Sequence, residues 1–159
     1  MKKQSPKSPI PARETNRTTS PSMEQYIETI AHLLTKDKVC SISDIANEAQ
    51  VSRPAASRAI RDLAGKKLVE HRAYGYVDLT PQGQSLADEL TLRHESLFRF
   101  LHGVLQFDED HADEEACRLE HQLDDAIVGR LAMLTELIEK DADLKARWER
   151  LLKRRGPAR

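Results

Sequence analysis

The 159-residue sequence is poor in cysteine and in aromatic residues, and no hydrophobic run in it is long. Two cysteines, Cys40 and Cys117, are too few for a disulfide framework, which fits a reducing cytoplasm. No apolar stretch is long enough to span a bilayer, so no membrane partner is expected. The opening Met1-Lys2-Lys3-Gln4-Ser5 is basic, but prolines and threonines follow it where a secretion signal would have an apolar core. A Gly-rich phosphate loop, a nucleophile elbow and a His-Glu-x-x-His helix are also missing, which leaves a hydrolytic enzyme without its usual machinery.

What is present suits a globular chain with one core, or two small units sharing an interface: 39% hydrophobic and 32% charged residues. The net charge of −1 conceals an uneven distribution. Residues 81–140 carry fourteen acidic side chains against five basic ones, a balance of −9. Residues 52–72 instead hold Arg53, Arg58, Arg61, Lys66, Lys67 and Arg72 against Asp62 and Glu70. One region is therefore suited to cations and the other to phosphates.

Residues 1–20, rich in Lys, Pro, Ser and Thr, read as a disordered basic tail. Ser22 and Gln25 have the spacing of a capping box, and Met23, Ile27, Ile30 and Leu34 follow helical periodicity. Cys40-Ser41-Ile42 reads as a short strand, and Ser43 as the cap of a helix over Asp44–Ala49. Ser52 caps a third helix with Pro54 in its first turn, its inner stripe formed by Ala56, Ile60, Leu63 and Ala64. Leu68–Arg72 and Tyr76–Leu79, joined at Ala73-Tyr74-Gly75, read as a hairpin. Two short helices joined by a tight turn and followed by a hairpin make a winged helix-turn-helix over residues 21–80. On it, Arg58 is the expected base reader, while Ser52, Arg53, Pro54, Ser57, Arg61 and the wing residue Arg72 face the DNA backbone.

Residues 81–155 read as all-helical. Thr80-Pro81 opens a long helix with Leu86, Leu90, Leu97, Leu101 and Val104 inward, and His94 on the same stripe. A helix over Asp108–Leu123 follows, then one capped by Asp124 or Asp125 with Ile127, Leu131, Leu134 and Ile138 as its packing face. A last amphipathic piece runs over Leu144–Leu152 around Trp148. These helices carry more apolar surface than so small a domain needs, which predicts a homodimer. The fold class is thus mainly α: an N-terminal winged helix-turn-helix, then a helical metal-binding and dimerisation domain.

The metal expectation starts from Glu115-Ala116-Cys117-Arg118-Leu119-Glu120-His121. Cys117, Glu120 and His121 stand at i, i+3 and i+4, so on a helix they project from one side. These residue types bind transition metals, yet an acidic solvated helix with one thiol has the same pattern. His94, on an apolar face, is more often a core histidine than a ligand, while Gln25 stands open between ligand and cap and Glu28 between ligand and solvated carboxylate. Convergence favours the metal, since each of these residues borders an apolar helix face.

The chain resembles the diphtheria-toxin-repressor and manganese-transport-regulator family of metal-dependent repressors over residues 22–140. The resemblance rests on Ser22–Glu28, Ser43-Asp44-Ile45-Ala46, Leu79-Thr80-Pro81-Gln82-Gly83, Arg93-His94 and Glu115–His121. It implies a site built from Cys117, Glu120, His121 and His94 with Glu28, a divalent Fe(II) or Mn(II) cofactor, and a palindromic DNA operator. Gln25 stands where the family has Asp or Met, and Phe98 where the iron branch has an acidic ligand. The chain is also short, without the SH3-like domain of longer members. Cys117 tilts the expected metal toward iron, and the short architecture tilts it toward manganese. The competing reading is a winged-helix regulator triggered by an organic ligand or by oxidation of Cys117.

Overall fold

The computed structural model describes residues 19–37, 39–72 and 75–155. The expected tail lies outside them except for Thr19 and Ser20, as do Ala73 and Tyr74 of the expected turn. The described chain forms two compact units, divided inside one helix between Arg93 and His94.

In the N-terminal unit, α1 spans Pro21–Asp37. It begins earlier than the capping-box spacing predicts: Met23 and Glu24 donate their backbone N–H groups to Ser20 O, at 2.9 and 3.1 Å. Pro21 therefore occupies the first helical position, where its missing N–H costs nothing. The side chains of Glu24, Ile27, Ile30 and Leu33 are buried. Strand β1 (Cys40–Ser41) leads into α2 (Ile42–Glu48). Ser41 caps this helix in place of the expected Ser43, because Asp44 falls three residues after Ser41. The Ser41 hydroxyl accepts from Asp44 N, and Asp44 Oδ2 accepts from Ser41 N at 2.9 Å. That reciprocal pair satisfies two end donors that Ser43 would leave unmet.

Helix α3 (Arg53–Gly65) starts at the expected cap, Ser52, with Pro54 in its first turn. The turn between α2 and α3 takes Gln50 into the left-handed region (φ 52°), and Val51 N donates to Ala46 O at 2.9 Å. This pairing closes the last turn of α2. Lys67 (φ 60°) ends α3 in the same manner, with Leu68 N donating to Leu63 O. The wing is β2 (Val69–His71) paired antiparallel with β3 (Tyr76–Leu79), Val69 opposite Leu79 and His71 opposite Val77. β1 pairs with the other edge of β3, giving the strand order β1-β3-β2.

Thr80 fastens the wing to the start of α4 (Pro81–Phe98). Its hydroxyl donates to Lys67 O at 2.6 Å and accepts from Gly83 N at 3.0 Å, while Thr80 N donates to Leu68 O. A β-carbon at Gly83 would lie 1.9 Å from Leu68 O, so the Thr80-Pro81-Gln82-Gly83 run admits no side chain at its last position.

In the C-terminal unit, the end of α4 passes into a π-helical segment, Arg99–Val104, marked by Leu105 N donating to Phe100 O. The single long helix expected from the sequence is therefore α-helical only to Phe98. α5 spans Glu109–Glu120, capped by Asp108, and His121 is its C-cap residue. The helix therefore stops short of the expected end at Leu123. α6 spans Asp125–Lys140, capped by Asp124, whose carboxylate accepts from Ala126 N at 2.7 Å. α7 spans Ala142–Arg155, and Trp148 donates its indole N–H to Val104 O, which the end of the π segment leaves open.

The packing face of α6 differs from expectation. Val128, Thr135 and Ile138 are buried and Leu131 is half-buried, whereas Ile127, Met133, Leu134 and Leu137 are exposed. The core stripe has rotated by about one residue, which leaves a second apolar face outward.

Candidate metal centre

Glu120 ends α5 with its side chain 1% exposed, and two imidazoles flank it. His94 Nδ1, from the last turns of α4, lies 3.2 Å from Glu120 Oε2, and His121 Nε2 lies 3.4 Å from Glu120 Oε1. The ring of His121 is itself 11% exposed. Burying a carboxylate is costly unless a partner offsets the loss of water. Here the partners are groups that a transition metal also uses. Neighbouring ligands on an ion with bonds of about 2.1 Å stand about 3 Å apart. Each imidazole stands near that spacing from a different oxygen of Glu120, so the buried carboxylate and its two neighbours have the donor chemistry of a divalent-cation site.

Hydrogen bonding to Glu120 pushes the His94 imidazole up to about 9, against the opposing effect of burial. The charge of Glu120 and the second carboxylate, Asp113, add to the rise. Asp113 Oδ1 lies 3.1 Å from His94 Nε2, so one ring bridges a buried and an exposed carboxylate. Asp113 was not among the residues singled out from sequence. Its spacing, four residues before Cys117 on α5, was the available signal.

Cys117 is on α5 three residues before Glu120 and is exposed. The three residues therefore differ in burial: Glu120 is buried, His121 is half-buried at the helix cap, and Cys117 is exposed. Gln25 and Glu28 belong to α1 in the N-terminal unit, Gln25 exposed and Glu28 half-buried. Gln25 lines a cleft there with Ser22, Tyr26, Thr29 and Gln50. The start of α1 is instead closed by Ser20 O, which accepts from Met23 N and Glu24 N.

The N-terminal unit also carries the expected nucleic-acid face. Ser52, Arg53, Pro54, Arg58 and Arg61 are exposed on α3 and its cap, and Ser57 is half-buried. Arg61 folds back on its own helix, its Nε donating to Ser57 O at 3.4 Å. Arg72 is engaged within the wing, 2.6 Å from Asp78 Oδ2 and 3.7 Å from Glu70 Oε1.

Comparison with known proteins gives this geometry a family. Residues 18–77 match the iron dependent repressor N-terminal DNA binding domain, and residues 80–149 match the iron dependent repressor metal binding and dimerisation domain. The HTH-type transcriptional regulator MntR of Bacillus pumilus is 30% identical over 122 residues, covering 77% of this chain and 84% of that protein. Its counterpart from Lysinibacillus sphaericus is 29% identical over 130 residues, covering 82% and 93%. Among solved structures, that of the manganese regulator SloR matches with a TM-score of 0.64 and 33% identity. That match covers 74% of this chain and 55% of SloR, so the chain spans about half of that longer protein.

The chain belongs to the iron-dependent repressor family. It is a metal-dependent, DNA-binding transcriptional regulator and not an enzyme. The domain that contains the buried Glu120 is the one the family uses for metal binding and dimerisation. The domain that contains α3 is the one it uses for DNA. No helix among the described residues is long and apolar enough to cross a membrane.

Proposed function

We propose that this repressor is a cytoplasmic homodimer that grips a palindromic operator when Mn(II) or Fe(II) binds at Glu120, His121 and His94. Glu28 of α1 completes the ligand set, and Gln25 and Cys117 supply weaker or peripheral donors. The observation that carries this reading is the buried Glu120 carboxylate with an imidazole nitrogen at each oxygen. When bound, the ion supplies a positive charge that holds carboxylates and imidazoles together. The chain's own residues do the rest. Glu28 ties α1, and with it the DNA-reading helices, to the dimer scaffold. The two copies of α3 are then held at the separation that successive major grooves require.

Without the ion, acidic groups repel and the competent spacing is rarely populated, so operator affinity falls. Arg58 reads a base, and Ser52, Arg53, Pro54, Ser57, Arg61 and Arg72 position the backbone. Two features support manganese as the cognate ion. The buried donors are oxygen and nitrogen, with the thiol outside, and matched structures include a manganese regulator. This reverses the tilt toward iron that Cys117 suggested from sequence.

Operator binding titrated against free Mn(II) tests the proposal. Glu120→Gln should weaken metal uptake by more than about 100-fold and remove metal-dependent operator binding, whereas Cys117→Ser should leave both near wild type. Arg58→Ala should cost about 1–3 kcal/mol of discrimination between operator and random DNA. If Glu120→Gln retained metal-dependent binding, the assignment of the centre would be wrong.

A further inference from the structure

We infer that Asp113 is a positioning residue for the metal centre: it holds Nε2 of His94 so that Nδ1 is the nitrogen presented to Glu120. This rests on the proposed metal site and adds a residue to it. The ring has two nitrogens, and each faces one carboxylate: Nε2 to Asp113 Oδ1 at 3.1 Å, and Nδ1 to Glu120 Oε2 at 3.2 Å. The carboxylate oxygen of Asp113, at hydrogen-bond distance from Nε2, is the acceptor for a ring N–H on that nitrogen. With that proton committed, the lone pair available to a cation is on Nδ1, beside the buried carboxylate.

A bare surface ion pair would not need this geometry. Asp113 is 66% exposed and stands in water, where an isolated pair contributes little. What Asp113 does is orient. A half-turn of the ring about its bond to the chain would exchange the two nitrogens, and the contact at Asp113 opposes that turn. α5 carries both carboxylates, Asp113 and Glu120 being seven residues and two turns apart, so a single rigid element fixes both ends of the ring. The neighbouring acids Glu109, Asp110 and Glu114 line the cleft beside His94.

The test is Mn(II) titration of the full chain by calorimetry. Asp113→Ala should weaken binding by about 10–100-fold, the usual effect of removing a group that orients a ligating histidine. Asp113→Asn, which keeps an accepting oxygen, should recover most of the loss. Asp110→Ala removes a charge of the same sign from the same cleft and should leave affinity within about twofold to threefold. A readout free of metal is the ring proton on His94 Nε2 by nitrogen-15 NMR. It should exchange slowly with water in the wild type and fast in Asp113→Ala. Wild-type affinity in Asp113→Ala, an equal loss in Asp110→Ala, or an unchanged ring signal would each overturn the assignment of Asp113 alone. A wild-type chain that takes up no Mn(II) would overturn the metal reading and this proposal with it.

Discussion

Among the described residues, fifteen buried apolar side chains, from Ile27 to Leu90, form the core of the N-terminal unit. The arginines of α3 stand outside it, and Glu24 and Arg93 are the charged residues that go in. The C-terminal unit has a buried apolar cluster of five, Leu97, Leu101, Ala112, Ala116 and Val128, with partly buried neighbours around it. It buries Glu120 and leaves Ile127, Leu134 and Leu137 in solvent. The first unit is built on the larger apolar core, and it keeps its arginines on the surface. The second puts chemistry where core would be and core-type residues where solvent is. On the proposed function, a cation inside and a second copy outside would add to the stability of such a unit.

The largest expected effect breaks that contrast at the outward face of α6. Replacing Leu134 and Leu137 with lysine should dissociate the proposed dimer while leaving each chain folded. Burying a leucine contributes about 1.5–3 kcal/mol, and twofold symmetry counts each position twice, so the dimer dissociation constant should rise by roughly a thousandfold or more. Analytical ultracentrifugation over a concentration series reads this directly. A double variant that stays dimeric at wild-type concentrations would mean that this face is ordinary surface.

A smaller effect compares one glycine from each unit. A methyl group at Gly83 would meet the backbone of Leu68, oxygen at 1.9 Å and carbon at 2.9 Å, and backbone cannot step aside. At Gly103 it would meet only the end of the Glu139 side chain, at 3.6 Å. Gly83→Ala should therefore cost about 1–3 kcal/mol, with a fall in melting temperature of about 2–4 °C per kcal/mol. Gly103→Ala should change stability by less than about 0.5 kcal/mol. Equal melting temperatures for the two variants would show that the wing does not need the tight approach at Leu68.

These differences also explain what could be read from the sequence. Elements whose signal is local were legible. Ser52 with Pro54, the apolar stripe of α3 and the alternation in the wing each appear in a few consecutive residues. The cap of α2 was misplaced because Ser41 and Ser43 are both good caps, and only the position of Asp44 chooses between them. The face of α6 was misjudged for a deeper reason. Periodicity shows that a stripe is apolar but does not show whether one chain or two will cover it. The same limit applied at the centre. Cys117, Glu120 and His121 were visible as a spacing, but the burial of Glu120 and the exposure of Cys117 depend on how α5 packs. Asp113 was hidden among acids, since Glu109, Asp110, Glu114 and Glu115 surround it in sequence. Only the ring of His94 distinguishes it from them.

The two cysteines, one in each unit, give the smallest and most selective test. Cys40 is fully buried in the sheet, and its thiol donates to Val77 O at 3.4 Å. Burial pushes this thiol from its ordinary value near 9 up to about 11, and the carboxylates of Asp44 and Asp78 add to the rise. Cys117 is exposed. At pH 8, iodoacetamide should therefore label Cys117 and leave Cys40 unmodified until the N-terminal unit opens, as mass spectrometry of timed samples would show. The sign of the linkage follows from the same shift. A group whose value is raised by folding contributes stability that is fully present below about 9 and is lost as pH climbs through about 11. The wild type should lose stability over that window more steeply than Cys40→Ala, by the titration of a single proton. Parallel pH profiles for the two, measured by urea unfolding, would mean that Cys40 ionises as readily inside the sheet as it does in the unfolded chain.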